Sequence, residues 1–207
     1  MTPPAILPVD ALLLLDYVGI AVFAISGALL AAEKKQTLVT FIFFAVVTGV
    51  GGGTVRDLLI GAPVFWVGTN ATLLICIVAG VAVWFLSRKT IADKALLWFD
   101  AIGLAAYATY GAAKALNYGV APVPAFAMGV MTACVGGIIR DVLANEPSIL
   151  MRPELYVTAA ALASGLFVAL TLFGAPATLA ALVAGLAGFS LRGAAIARGL
   201  SLPAYDR

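Results

Sequence analysis

One motif occurs twice in this chain, each time inside an apolar stretch long enough to cross a membrane. The first copy reads Gly51-Gly52-Gly53-Thr54-Val55-Arg56-Asp57, and the second reads Gly136-Gly137-Ile138-Ile139-Arg140-Asp141. The two aspartates lie 141 − 57 = 84 residues apart. The same offset pairs Asp16 with Asp100, Gly19 with Gly103, Gly27 with Gly111, Gly52 with Gly136, Arg56 with Arg140 and Pro63 with Pro147. An ungapped match of this length indicates a duplicated unit. Each copy puts a helix breaker, an arginine and an aspartate at membrane depth, where all three are costly.

Composition sets the solvent. The chain is 63% hydrophobic and only 11% charged, about half the charge of a soluble domain of its size. A net charge of +2, with no basic run longer than Lys34-Lys35 or Arg88-Lys89, argues against nucleic acid as a partner. Histidine is absent, and the two cysteines, Cys76 and Cys134, lie in apolar stretches. That set builds neither a zinc site nor a disulfide framework, so the cysteines read as small buried hydrophobes and no cofactor is expected. The N-terminus lacks a basic n-region, and its apolar run from Ala11 to Ala32 exceeds an h-region. It reads as a first membrane helix rather than a cleaved signal.

A bilayer core needs about 20 apolar residues per helix. Seven spans meet that need: 10–32, 38–60, 68–87, 94–116, 122–144, 154–173 and 176–198. The fold class is therefore an all-α integral membrane protein. Turn signals separate the spans, among them Gly61-Ala62-Pro63 and Asn145-Glu146-Pro147 after spans 2 and 5. Trp66, Trp84, Trp98, Tyr118 and Tyr156 fall near span ends, as an interfacial belt would. Lys34, Lys35, Arg88, Lys89, Lys94, Arg152, Arg198 and Arg207 fall on one side, whereas the other offers only Lys114. The positive-inside rule then places the chain in the cell's inner (plasma) membrane with its N-terminus outside and its C-terminus cytoplasmic.

The repeat sets the architecture. Helices 1 to 3 map onto helices 4 to 6, and three being odd, the second triplet enters from the opposite side. The domains are thus an inverted pair of three-helix repeats, 10–89 and 94–173, with a seventh helix at 176–198. Repeats of this kind place a polar pathway near the midplane.

The glycines are the first candidates to shape it. Glycine weakens a helix by about 1 kcal/mol relative to alanine, so Gly51, Gly52 and Gly53, and again Gly136 and Gly137, predict breaks in helices 2 and 5. Close helix packing through small residues is the alternative. Adjacent helical side chains point about 100° apart, so the natural ion pairs are expected to cross the repeats, Arg56 with Asp141 and Arg140 with Asp57. Such pairs either gate a constriction or lock the halves together. Asp16 and Asp100, each about two turns into its helix, would face opposite vestibules and concentrate cations, or be interfacial aspartates satisfied by water. Thr54, with Thr48, Thr132 and Ser26, offers hydroxyls, which in membrane helices often bond their own i−4 carbonyl. Lys114 is expected to snorkel to the interface. There is no P-loop, no dinucleotide fingerprint and no nucleophile with a plausible base, so an enzyme is not expected.

At these residues the chain resembles the trimeric intracellular cation (TRIC) channels, in their bacterial form. The resemblance covers essentially the whole chain, and Gly51 to Asp57 is its most specific element. It implies a homotrimer surrounded by membrane lipids, with a pore in every protomer that passes potassium and other monovalent cations. Pore and gate residues would be Gly51, Gly52, Gly53, Thr54, Arg56, Asp57, Gly136, Gly137, Arg140 and Asp141, with Asp16 and Asp100 in the vestibules. Animal members carry a lysine motif in helix 5 linked to phosphoinositide binding; here that segment is Cys134-Val135-Gly136-Gly137-Ile138-Ile139, without lysine, so that lipid site does not carry over. Related bacterial sequences are labelled glycine transporters, which makes a secondary transporter for a small zwitterion the rival reading.

Overall fold

The computed structural model describes residues 9–86 and 95–203. Arg88, Lys89, Lys94 and Arg207, and with them the expected boundaries at 87, 89 and 94, lie outside the described residues. Among the described residues seven α-helices follow one another: α1 Val9–Glu33, α2 Leu38–Leu59, α3 Asn70–Phe85, α4 Ala95–Asn117, α5 Pro122–Leu143, α6 Val157–Leu172 and α7 Ala177–Arg198. A short 3₁₀ turn, Ile149–Met151, precedes α6. Four of the helices (α1, α2, α5 and α7) are long and apolar enough to cross a membrane. Helices α3 and α6 are shorter, at 16 residues each, the same length in both halves of the chain.

Packing follows the repeat. In the first half α1, α2 and α3 contact one another; in the second, α4, α5 and α6 do the same. The halves meet through α1 against α4 and α2 against α5, and α7 covers α4 and α6. Side chains swap across this seam. Phe23 stacks on Tyr107, its counterpart at the offset of 84, with ring centroids 5.3 Å apart. Each ring lies over the other half's glycine, Phe23 over Gly103 and Tyr107 over Gly19. Reciprocal contacts between equivalent residues are what a two-fold relation between halves requires.

The glycine motifs behave differently from the expected breaks. Helix α2 is helical through Gly51, Gly52 and Gly53, and α5 through Gly136 and Gly137. The physical reason is the crossing of the two helices. A Cβ built on Gly52 would lie 2.1 Å from the carbonyl oxygen of Thr132, and one on Gly136 would lie 2.5 Å from that of Thr48. Glycine is needed here so that two backbones can touch, the close approach that small residues permit in membranes. The expectation of broken helices 2 and 5 is corrected to unbroken helices in backbone contact.

The turns after α2 and α5 are as the sequence suggests. Both helices end in the Schellman arrangement, with a left-handed residue, Gly61 (φ 68°) or Asn145 (φ 54°), just past the cap. Ala62 N–H donates to the Asp57 carbonyl (2.8 Å) and Glu146 N–H to that of Asp141 (2.9 Å).

Gly52→Ala should therefore disrupt packing rather than straighten a kink, lowering stability by roughly 1–3 kcal/mol. Gly185→Ala, a helical site whose added methyl group meets open space, is the control. Thermal melts in detergent should separate the two, and equal melting temperatures would contradict the crossing.

Candidate functional site

Two buried ionic centres sit at opposite ends of the α1, α2, α4, α5 bundle. Each is built around the arginine and aspartate of one motif copy. Asp57 and Asp141 lie in the last turn of a helix, where the dipole disfavours a carboxylate. Two kinds of donor offset that cost at both ends, and a third is present at one. Arg56 Nε donates to Asp57 Oδ1 at 2.9 Å, and Arg140 Nε to Asp141 Oδ1 at 2.9 Å. The chain then turns back so that Phe65 N–H donates to Asp57 Oδ2 at 3.1 Å, and Ile149 N–H to Asp141 Oδ2 at 3.1 Å. Among the described residues a third donor, Lys114, reaches Asp57 alone.

These geometries correct the expected cross-repeat pairs. Arg56 binds the aspartate that follows it, and so does Arg140. The i, i+1 spacing allows this because the guanidinium is long enough to curl around the helix to its neighbour. The bridge between halves is made by other groups. Arg140 Nη1 donates to Asp100 Oδ1 at 2.7 Å and also to the Ser26 hydroxyl, tying α5 to α4 and α1. At the other end Lys114 Nζ lies 2.9 Å from Asp57 Oδ1 and 3.0 Å from Oδ2, tying α4 to α2.

Lys114 is the residue that sequence reasoning misplaced. It points inward, only 15% exposed, over the Phe65 ring (5.6 Å), instead of snorkelling outward. The signal that could have found it was the imbalance of its surroundings: Asp16 and Asp57 fall near the same end of the bundle as Lys114, with Arg56 alone to balance them.

Arg56 is fully buried, its guanidinium stacked 4.9 Å from the Tyr110 ring centroid. Its Nη2 comes within 2.8 Å of Asp57 Oδ1 but is not aligned to donate, and Nη1 has no acceptor among the described residues. A buried cation with unused donors can serve a passing ligand or water. Asp16, also buried, accepts from the Tyr107 hydroxyl at 3.2 Å. Asp100 is buried against Arg140 and lines a cavity of about 240 Å³ with Glu33, Asp141, Glu146 and Arg152. Outside the helices, Lys34 of the first half pairs with Glu146 of the second across the rim of this cavity. That contact holds the Glu146 carboxyl below its usual range.

The remaining candidates divide by role. Gly51, Gly52 and Gly136 lie at the helix crossing. Gly53 lies under the Phe65 ring and Gly137 under the Tyr156 hydroxyl, one at each ionic centre. Thr54 bonds its own i−4 carbonyl, Val50 O, at 2.7 Å and accepts from Trp66 Nε1 at 2.9 Å, so it anchors the turn after α2. Thr132 likewise bonds Met128 O, whereas the buried Thr48 hydroxyl has no hydrogen-bond partner among the described residues.

A double-mutant cycle reads this wiring directly. Lys114→Met with Asp57→Asn should show a coupling of about 1–3 kcal/mol, and Arg56→Gln with Asp141→Asn should be additive within about 0.5 kcal/mol. The reverse pattern in detergent unfolding would restore the cross-repeat pairs.

Comparisons with known proteins agree with the duplicated, seven-helix fold. The family model described as Glycine transporter matches residues 13–88 and again 97–172, so its two matches share the offset of 84 (97 − 13 and 172 − 88). A UPF0126 membrane protein of Vibrio cholerae is 39% identical over 96% of this chain and 84% of its own length. The UPF0126 inner membrane protein YadS of Escherichia coli K12 is 38% identical over 92% of this chain and 94% of its own. Among solved structures, the TRIC trimeric intracellular cation channel orthologue from Rhodobacter sphaeroides superposes with a TM-score of 0.86 at 43% identity, covering 92% of this chain and 100% of that one. A structure described as a prokaryotic TRIC channel in 0.5 M KCl gives 0.84 at 30% identity, covering 93% and 99%. Seven helices in the same arrangement, a duplicated Arg-Asp motif and this similarity along nearly the full length lead to one assignment: the chain belongs to the TRIC family of bacterial membrane proteins, whose curated relatives are called UPF0126 and whose family model is described as Glycine transporter.

Proposed function

We propose that this protein is a passive channel for monovalent cations, potassium among them, with one pathway inside each protomer of a homotrimer. The observation that carries the reading is the pair of buried ionic centres at opposite ends of one four-helix bundle. Each holds a carboxylate bonded to an arginine at the end of a helix, and the repeat relates one to the other. The cation-channel descriptions of structures 43% and 32% identical to this chain support the same reading. The trimer rests on the trimeric Rhodobacter sphaeroides orthologue.

The pathway runs between α1, α2, α4 and α5. Asp16, Arg56, Asp57 and Lys114 form its one mouth; Asp100, Arg140 and Asp141 form the other. Between them α2 and α5 touch at Gly52 and Gly136, and Phe23 stacks on Tyr107. In this reading these contacts separate the two mouths, and opening would require them to part. Lys34, Lys35, Arg152 and Arg198 sit toward the Asp100 mouth, which we place in the cytoplasm with the N-terminus outside, in the inner membrane. We assign the protein no catalytic role.

A second reading has its own observation. The cavity at the Asp100 mouth is lined by guanidinium groups of Arg140 and Arg152 as well as carboxylates, a surface suited to both ends of a zwitterion. That agrees with the description of the family model.

Purified protein in planar bilayers under a potassium chloride gradient distinguishes the two. Discrete currents reversing near the potassium potential are expected. Silent bilayers, with saturable glycine uptake by liposomes of the same preparation, would replace the channel by a transporter.

A further inference from the structure

The two halves differ in what fills the groove between their first and third helices. In the second half that groove lies between α4 and α6, and α7 occupies it. Gly188 packs on Ala163, and Ala113 and Phe167 join Ala180 and Ala184 in one buried cluster. At the offset of 84, Ala163, Ala113 and Phe167 correspond to Ala79, Leu29 and Val83. Those three line the groove of the first half, between α1 and α3, a cavity of about 690 Å³ with wholly apolar walls that reaches Ala95 and Phe99 of α4. Among the described residues no helix lies in it. Leu74, Val78 and Leu86 are exposed on its wall, so it opens toward the lipid.

The length of the groove and the charge at its end fit a lipid. Along α3 the lining runs from Leu74 to Leu86, 86 − 74 = 12 residues, or about 18 Å at 1.5 Å per residue. A hydrocarbon core of about 30 Å gives each leaflet about 15 Å, so the groove has the reach of one acyl chain in one leaflet. At Val83 and Leu86 it meets a second cavity, of about 230 Å³, lined also by Lys35, Gln36 and Trp84. This end lies on the side assigned above to the cytoplasm, whose leaflet carries the anionic lipids. Trp84 stands there at headgroup level, where an indole is favoured. Lys35 holds the left-handed conformation (φ 55°), which a Cβ disfavours; its counterpart Gly119 holds it (φ 77°) without that cost. Lys34 pairs with Glu146, whereas the Lys35 ammonium enters no ion pair among the described residues.

We propose that the α1–α3 groove is a binding site for one anionic phospholipid of the cytoplasmic leaflet, with an acyl chain between the two helices and the phosphate on the Lys35 ammonium. The chain takes the place that α7 holds in the other half. Phe99, on the groove wall, precedes Asp100, so a bound chain braces the start of the helix that carries a carboxylate of the inner centre. A zwitterionic headgroup carries its own ammonium and gains less from Lys35 than an anionic one. The site takes only its sidedness from the orientation proposed above, and it is the same for a channel or a transporter.

Native mass spectrometry of the full chain, purified in detergent and titrated with phosphatidylglycerol or phosphatidylcholine, tests this whatever the orientation. The wild type is expected to retain phosphatidylglycerol at least several-fold more than phosphatidylcholine. Lys35→Gly keeps the left-handed turn and removes the ammonium, and it should lower that retention several-fold. Lys35→Arg should preserve it. Ala82→Phe, which fills the groove and leaves the charge, should lower it as well. Should Ala82→Phe fail to fold, the exposed turn position of Lys35→Gly still decides the matter. Equal retention of the two lipids by the wild type, or unchanged retention in Lys35→Gly, overturns the site. So does an oligomer that falls apart in Ala82→Phe while Lys35→Gly retains lipid like the wild type, a result that gives the groove to a second copy of the chain.

Discussion

The rest of the structure depends on an arginine curling back onto the aspartate that follows it, in the last turn of a membrane helix. A carboxylate at a helix C-terminus inside a bilayer is destabilised twice, by the dipole and by desolvation. Asp57 and Asp141 are tolerated because each collects a guanidinium from the preceding residue and a backbone N–H from eight residues downstream. The second donor obliges the chain to turn back immediately after the helix. Hence the left-handed caps at Gly61 and Asn145, and hence the proline that follows each of them by two residues. One electrostatic requirement thereby dictates the turn, and the turn places the first residues of the connection over the mouth of the bundle.

Among the described residues only Asp57 gains a third partner, and this difference between the halves is informative. Duplication supplies two equivalent frames; later divergence decides what each frame holds. At one end Lys114 completes the charge balance of Asp57. At the other, Arg140 is shared among Asp141, Asp100 and Ser26, leaving a polar cavity beside them. The aromatic stack of Phe23 and Tyr107 and the backbone contact of Gly52 with Thr132 separate the ends. Arg56 and Arg140 are thus part of the scaffold, because breaking either pair would leave a buried charge without its partner.

Much of the fold was legible in the sequence because it rests on patterns that survive without coordinates. Apolar runs, turn residues and the offset of 84 gave seven helices and their inverted halves, with edges within a few residues of α1 to α7. The site was legible as a set of residues and less so as contacts. The Arg56 and Arg140 pairings were misread because helical angles describe where Cβ points, not where a guanidinium three bonds further can reach. Lys114 was misplaced because snorkelling is the default for a lysine near a helix end, and a buried carboxylate partner 57 residues away overrides it. The glycine motifs were read as breaks because sequence shows the cost of glycine in a helix but not the second backbone that requires it.

The central claim is one polar pathway entered from opposite sides of the membrane through the two ionic centres. Single cysteines at Val67, exposed in the connection between α2 and α3, and at Glu146, in a background where the buried Cys76 and Cys134 are alanine, test it most directly. A membrane-impermeant charged thiol reagent would be applied to each side of a bilayer during recording. The account predicts that Val67→Cys responds only from the outer side and Glu146→Cys only from the inner side, each altering the potassium current. Reaction of both cysteines from one side, or modification of both without any change in current, would contradict it.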